Sequence, residues 1–121
     1  MKKIAVTGLH GVVGKIFLKE LPKDFEIIDF YNKNLFRSPK IKKHVYMDLL
    51  NKANISKKLE KTNPDVILHM AAITHIDKCE KDKKRGMKGK VWRVNVEASE
   101  EIAKFCAKHN IPLIFLSTEC V

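Results

Sequence analysis

Lys3-Ile4-Ala5-Val6-Thr7-Gly8-Leu9-His10-Gly11-Val12-Val13-Gly14-Lys15-Ile16-Phe17-Leu18-Lys19-Glu20-Leu21 decides the fold. A short apolar run, Lys3 to Val6, breaks into glycines at positions 8, 11 and 14 and then into a helix-like pattern, so the stretch reads as strand, turn and helix start. Amides at the start of a helix have no intrahelical acceptor, and the helix dipole puts about half a positive charge there, so an anion is favoured. Each glycine has a separate reason. A Cβ at Gly8 resists the tight turn, one at Gly11 blocks close approach to a pyrophosphate, and one at Gly14 holds the helix off the sheet. Three glycines also suit an ordinary tight strand-to-helix connection.

The alternative is that the turn holds a dinucleotide pyrophosphate, and the next segment favours it. Phe25-Glu26-Ile27-Ile28-Asp29-Phe30 is a second apolar strand with a carboxylate at its end. It falls about twenty residues after the glycines, where an acceptor for ribose hydroxyls is expected, although Asp29 also suits a plain strand-end turn.

Working outward, apolar runs and helical patterns alternate without repeats, low-complexity tracts or linkers. The polar connection Tyr31 to Lys42 leads to a short strand, His44 to Met47, ending at Asp48. Ile55 and Leu59 mark a helix over Asn51 to Thr62, which Asn63-Pro64-Asp65 stops because proline disfavours helical geometry in the residue before it. The continuous run Asp65 to Ala72 reads as a central strand buried on both faces. Val94, Ala98, Ile102, Phe105 and Cys106 give an amphipathic helix over Val91 to His109, ended by Ile111-Pro112, and Leu113 to Thr118 reads as a fifth buried strand. The expected fold is therefore α/β, one domain over residues 1–121. It is a Rossmann-type parallel sheet of order 3-2-1-4-5 with helices on both faces, cut off after the fifth strand. A ligand belongs at the switch in strand order, outside the carboxyl ends of strands one and four.

With 121 residues, 45% of them hydrophobic, the chain can bury an ordinary core. No apolar run approaches the roughly 20 residues that span a bilayer, and no secretory signal is present, so a cytoplasmic protein without membrane partners is expected. Cys79, Cys106 and Cys120 show no Cys-x-x-Cys spacing, which points to free thiols rather than disulfides or a metal site. The net charge of +10 raises the question of nucleic acid. The cations are mostly scattered lysines, however, and the denser stretch Lys78 to Lys90 lacks interleaved aromatics that would stack on bases, so no nucleic-acid partner is expected.

Gly8, Gly11 and Gly14 with Asp29, Asp48-Leu49, His69-Met70-Ala71-Ala72, Asn95-Val96 and Ser117-Thr118 make the chain resemble the extended short-chain dehydrogenase/reductase family. Within it, Pro64 to Ile67, Ala71 to Thr74, Ile76 to Glu80, Arg93 to Ala98 and Leu116 to Val121 are similar to the dTDP-4-dehydrorhamnose reductase group. The resemblance implies an NADH or NADPH cofactor and a nucleotide-sugar substrate. It implies that Gly8, Leu9, His10, Gly11, Val12 and Gly14 hold the pyrophosphate, largely through backbone groups. Asp29 would then meet the adenosine ribose, Asp48 and Leu49 flank the adenine, and Ala71, Ala72 and Thr74 line the path to the nicotinamide ribose. Thr118 takes the place of a hydroxyl that positions and polarises the substrate carbonyl. Asp29 beside a 2′-phosphate is repulsive, which opposes an exclusive preference for NADPH, but Arg37 and nearby lysines soften that repulsion. The basic stretch Lys78 to Lys90 would attract a diphosphate substrate.

Plainer roles stand beside these. Asp48 suits a cap for the helix near Asn51, Ala71 and Ala72 suit close packing, and Thr118 suits a strand-end hydroxyl. His10 suits a solvent-facing imidazole, His69 a satisfied core side chain, and Asn95 a bond to neighbouring backbone.

The family's Tyr-x-x-x-Lys proton donor is absent, because Tyr31 is followed four residues on by Leu35 and Tyr46 by Leu50. Cys120 also stands where the family has tyrosine. The resemblance therefore implies the N-terminal portion of a longer reductase, without turnover of its own. A non-catalytic subunit resembling the regulatory partner of methionine adenosyltransferase is the alternative. A cut after the fifth strand leaves apolar side chains at a sheet edge, which invites homo-oligomers.

Overall fold

The computed structural model describes residues 2–21, 23–32, 38, 41–71, 89 and 92–116. Five strands form one parallel sheet: β1 (Lys2–Thr7), β2 (Phe25–Tyr31), β3 (Ile41–Tyr46), β4 (Val66–His69) and β5 (Leu113–Phe115). Their order is β3-β2-β1-β4-β5, as the alternation of strands and helices predicts. Among the described residues the α-helices are α1 (Val12–Glu20), α2 (Lys52–Thr62) and α3 (Ala98–His109).

The two-residue period of the strands divides the core. Ala5, Ile28 and Ile67 face one layer with α2 and α3, while their neighbours Val6, Ile27 and Leu68 face the other with α1. Strands apolar at successive positions thus need helices on both sides, which is why they read as unbroken hydrophobic runs.

All five apolar positions expected of α3, from Val94 to Cys106, are buried. A π-helical turn, Arg93–Glu97, leads into it, and Ala98 N–H reaches back to the Arg93 carbonyl. Asn63 and Asn110 end α2 and α3 in the left-handed conformation, with φ of 46° and 58°. The amides of Asn110 and Ile111 both return to the Cys106 carbonyl, so the stop of α3 comes two residues before Pro112.

Three strand expectations change. β3 runs from Ile41 to Tyr46 rather than from His44 to Met47, so it starts within the stretch expected as a polar connection. β4 ends at His69 rather than Ala72, because the amides of Met70 and Ala71 turn onto the Thr7 hydroxyl at 3.1 Å each. β5 is an edge strand, not a buried one. Ile114 and Phe115 are 54% and 44% exposed, having no further strand beside them among the described residues.

Gly14 sits where α1 meets the turn, and a Cβ there would stand 2.1 Å from the Leu9 carbonyl oxygen. Backbone cannot swing aside as a side chain can. Gly14→Ala is expected to destabilise the chain by about 1–3 kcal/mol through forced displacement of α1, measurable by urea unfolding followed through Trp92 fluorescence; unchanged stability would contradict this packing.

Candidate functional site

Strand order places the carboxyl ends of β1 and β4 side by side, with Thr7 opposite His69, and the glycine turn leaves β1 at that point. Gly8 has φ of +75°, and a Cβ on it would lie 2.6 Å from the Ala71 amide nitrogen, so only glycine fits both the turn and the close approach to β4's exit. Leu9 is fully buried and pins the turn to the α1-side core. Its side chain cannot face a ligand, so any contact it makes is through backbone.

Gly11 differs from the other two glycines. It is exposed, and a Cβ there would meet only the Gly8 carbonyl, at an ordinary 3.5 Å. It is also the residue preceding α1, whose start has neither a side-chain cap nor an acidic residue in its first turn. Close backbone approach, uncapped helix amides and an uncompensated dipole are together the local chemistry that favours an anion such as phosphate.

On the α1 face of the sheet, Asp29 is completely buried. β2 continues past it to Tyr31, so the carboxylate lies inside the strand rather than at its end. Its Oδ2 lies 2.6 Å from His10 Nε2 and 2.8 Å from His44 Nδ1. His44 stands opposite Asp29 on β3, and His10 reaches over from the glycine turn. The solvent-facing position expected of His10 is therefore corrected: its side chain is only 12% exposed because Asp29 draws it inward.

A second polar chain crosses the opposite face. Thr7 Oγ1 accepts from the amides of Met70 and Ala71, and it lies 2.6 Å from His69 Nδ1. With both acceptor sites of the hydroxyl in use, its proton goes to Nδ1, which leaves His69 protonated on Nε2. That nitrogen donates to Ser99 Oγ at 2.9 Å, and Ser99 donates to the Asn95 carbonyl at 2.9 Å. Fully buried and stacked on Phe115, His69 is the satisfied core residue expected, and burial lowers its pKa to about 4. Neutral throughout, it fastens β1, β4 and α3 together just beneath the glycine turn.

Other predicted residues take plainer positions. Asp48 does not cap α2; its Oδ1 accepts from Leu50 N–H at 2.9 Å, a local turn, while Asn51 occupies the cap without a side-chain bond. Leu49 is buried in the α2/α3 core, so its side chain faces away from any ligand. Ala71 packs against that core, and it is its backbone that Gly8 approaches. For Val12, its place at the start of α1 is all that is described. Asn95 is buried in the π-helical turn. Ala72, Thr74, Thr118 and nearly all of the basic stretch 78–90 lie outside the described residues. The Asp29 pair with His10 and His44 was missed from sequence alone. The available signal was the strand period, which puts Asp29 on the α1 side with Ile27, directly below the turn that carries His10.

The family model described as RmlD substrate binding domain matches residues 1–121. The chain belongs to that family. It is 25% identical over 119 residues to dTDP-4-dehydrorhamnose reductase of Sinorhizobium fredii, a match covering 98% of this chain and 34% of that protein. It is 36% identical over 76 residues to GDP-6-deoxy-D-talose 4-dehydrogenase of Aggregatibacter actinomycetemcomitans, covering 61% of this chain and 22% of that one. The chain thus spans about a third or less of the curated relatives it matches. Among solved structures, a hypothetical dTDP-4-dehydrorhamnose reductase from Sulfolobus tokodaii superposes with a TM-score of 0.76 at 25% identity, over 95% of this chain and 38% of that one. The Bacillus anthracis dTDP-4-dehydrorhamnose reductase in complex with NADP shares the fold, with a TM-score of 0.72 at 22% identity over 93% of this chain and 35% of its own.

The polar chain through His69 sets a pH dependence. Its folded pKa of about 4 lies below the ordinary 6.5, so the unfolded chain binds the proton first. This contribution to stability is full above pH 6.5 and drains as pH falls toward 4, by a total on the order of 3 kcal/mol. Urea titrations at pH 7 and pH 5 should show wild type losing more stability than His69→Gln; equal losses would contradict the neutral buried imidazole.

Proposed function

We propose that residues 1–121 form the nicotinamide-dinucleotide-binding domain of a nucleotide-sugar oxidoreductase, the N-terminal portion of a longer enzyme that reduces a dTDP-4-keto-6-deoxysugar. The observation that carries this reading is the open side of Gly11 at the uncapped start of α1, beside the switch between β1 and β4. The pyrophosphate of NADH or NADPH fits there, against the backbone of Gly8, Leu9, His10, Gly11 and Val12, with Gly14 letting α1 sit close enough to present its amides.

In this reading Asp29 meets the adenosine ribose, and Asp48 with the backbone of Leu49 lies toward the adenine. Ala71, Ala72 and Thr74 follow β4 toward the nicotinamide ribose, and Thr118 holds the substrate carbonyl. When bound, the cofactor supplies hydride; this chain's own residues hold and orient it. The match to the family and the likeness to relatives named for C4 redox chemistry on nucleotide sugars support the substrate class.

No tyrosine of these residues stands four before a lysine, so the chain by itself binds cofactor without turnover. That same absence favours, as a second reading, a non-catalytic regulatory subunit resembling the partner of methionine adenosyltransferase. Coding sequence beyond Val121 distinguishes them: a Tyr-x-x-x-Lys motif supports the reductase, and its absence supports the regulator.

Gly11→Asp tests the cofactor site directly. The protein has room for the side chain, so the fold holds while a carboxylate enters the pyrophosphate position. Calorimetry with NADH and NADPH should show binding by wild type and none by the variant; equal affinity would remove the proposal. The exposed Ile114, Phe115 and Leu116 at the β5 edge further support self-association of this chain. Light scattering should show oligomers that Phe115→Lys reduces, whereas a monodisperse wild-type monomer would contradict it.

A further inference from the structure

We propose that the ring of Tyr46 is the wall on which the adenine of the cofactor stacks. The inference rests on the reading of Asp29 as the ribose acceptor and adds which side chain receives the face of the base beyond it. Tyr46 closes β3 and is 48% exposed, so much of its ring is open to solvent. It stands directly opposite Tyr31 at the end of β2, one step of the strand period beyond the paired Asp29 and His44. Side chains two positions apart on a strand share a face. Both tyrosines therefore lie on the α1 side with the carboxylate, about 6.6 Å further toward the carboxyl end of the sheet.

Sheet order gives the direction. The nicotinamide half of the cofactor is read toward β4, so the adenosine half runs the opposite way from β1, over β2 to β3. A base is joined directly to its ribose, and with the ribose on Asp29 the adenine falls within reach of the next pair of side chains along those strands. The contacts between are continuous. His44 is bonded to Asp29 at 2.8 Å, and its ring meets the edge of Tyr31 with centroids 6.5 Å apart. Tyr31 in turn meets Tyr46 at 5.9 Å, with the two planes at 70°. Neither residue read as lying toward the adenine offers it a flat surface: Asp48 Oδ1 accepts from Leu50 N–H at 2.9 Å, and the Leu49 side chain is buried in the α2/α3 core. Tyr46, two residues before Asp48, supplies a π-face on which a purine can stack.

Calorimetry with NADH on the 121-residue chain and its Tyr46→Phe and Tyr46→Ala variants tests this, together with proton spectra of the bound cofactor. Tyr46→Ala should weaken NADH binding about tenfold, in the range for loss of one base–aromatic stack, and Tyr46→Phe should bind as wild type does. On wild type and Tyr46→Phe the adenine ring protons should move upfield under the ring current; on Tyr46→Ala that shift should be lost. Unchanged affinity in Tyr46→Ala overturns the proposal and leaves the cofactor reading intact. Equal weakening in both variants also overturns it, because the hydroxyl rather than the ring then makes the contact. Adenine protons that keep their free positions on saturated wild type overturn it as well, since any loss in Tyr46→Ala then comes through the fold. Failure of wild type to bind NADH removes the cofactor reading and this proposal with it. If Tyr46→Ala does not fold, wild type decides: nuclear Overhauser contacts between the adenine protons and the Tyr46 ring support the stack, and their absence at saturating NADH overturns it.

Discussion

Close backbone-to-backbone contact around the glycine turn is the constraint on which the rest depends. At Gly8 the chain passes within reach of the Ala71 backbone, and at Gly14 the first turn of α1 rests on the Leu9 backbone. Any side chain at these points would push the helix off the turn or the turn off β4. Because neither is present, α1 starts at the carboxyl end of the sheet with its amides uncapped, next to the place where strand order reverses. The features of the site follow from this closeness.

Two polar clusters flank the turn, one on each face of the sheet, and they differ in kind. The chain from Thr7 through His69 to Ser99 has a donor for each acceptor, is buried, and holds a neutral imidazole. It is a strut. The cluster at Asp29 leaves one carboxylate oxygen without a partner among the described residues, although two imidazoles crowd the other. A fully paired network specifies a structure, whereas an unevenly paired one leaves a buried acceptor whose desolvation is not repaid by the residues around it.

Much of the fold was legible because both faces of the sheet are covered. Runs such as Ile27-Ile28 and Ile67-Leu68 need apolar partners on two sides, and the alternation of strands with helices then allows few topologies. The helical spacing from Val94 to Cys106 marked the buried stripe of α3, yet it could not show the π-helical turn at Arg93–Glu97, since a one-residue change in hydrogen-bond register leaves the same residues facing inward. Asp48 illustrates a local ambiguity: an aspartate before a helix can cap it or close a turn two residues on, and here it bonds Leu50. The histidines were the least readable. His10 lies 19 positions from Asp29, and nothing in its immediate neighbourhood signals a contact that arises only when turn and sheet are packed.

The account's central claim is that an anionic linker between two nucleosides docks on the backbone of the glycine turn. Amide chemical shifts of the nitrogen-15-labelled chain, recorded as NADH is added, test it most directly. The largest changes are predicted at Gly8, Leu9, His10, Gly11 and Val12, with α2 and the amino end of α3 scarcely affected. Shifts that leave those turn amides unmoved at saturating NADH, or that gather elsewhere on the sheet, would contradict it.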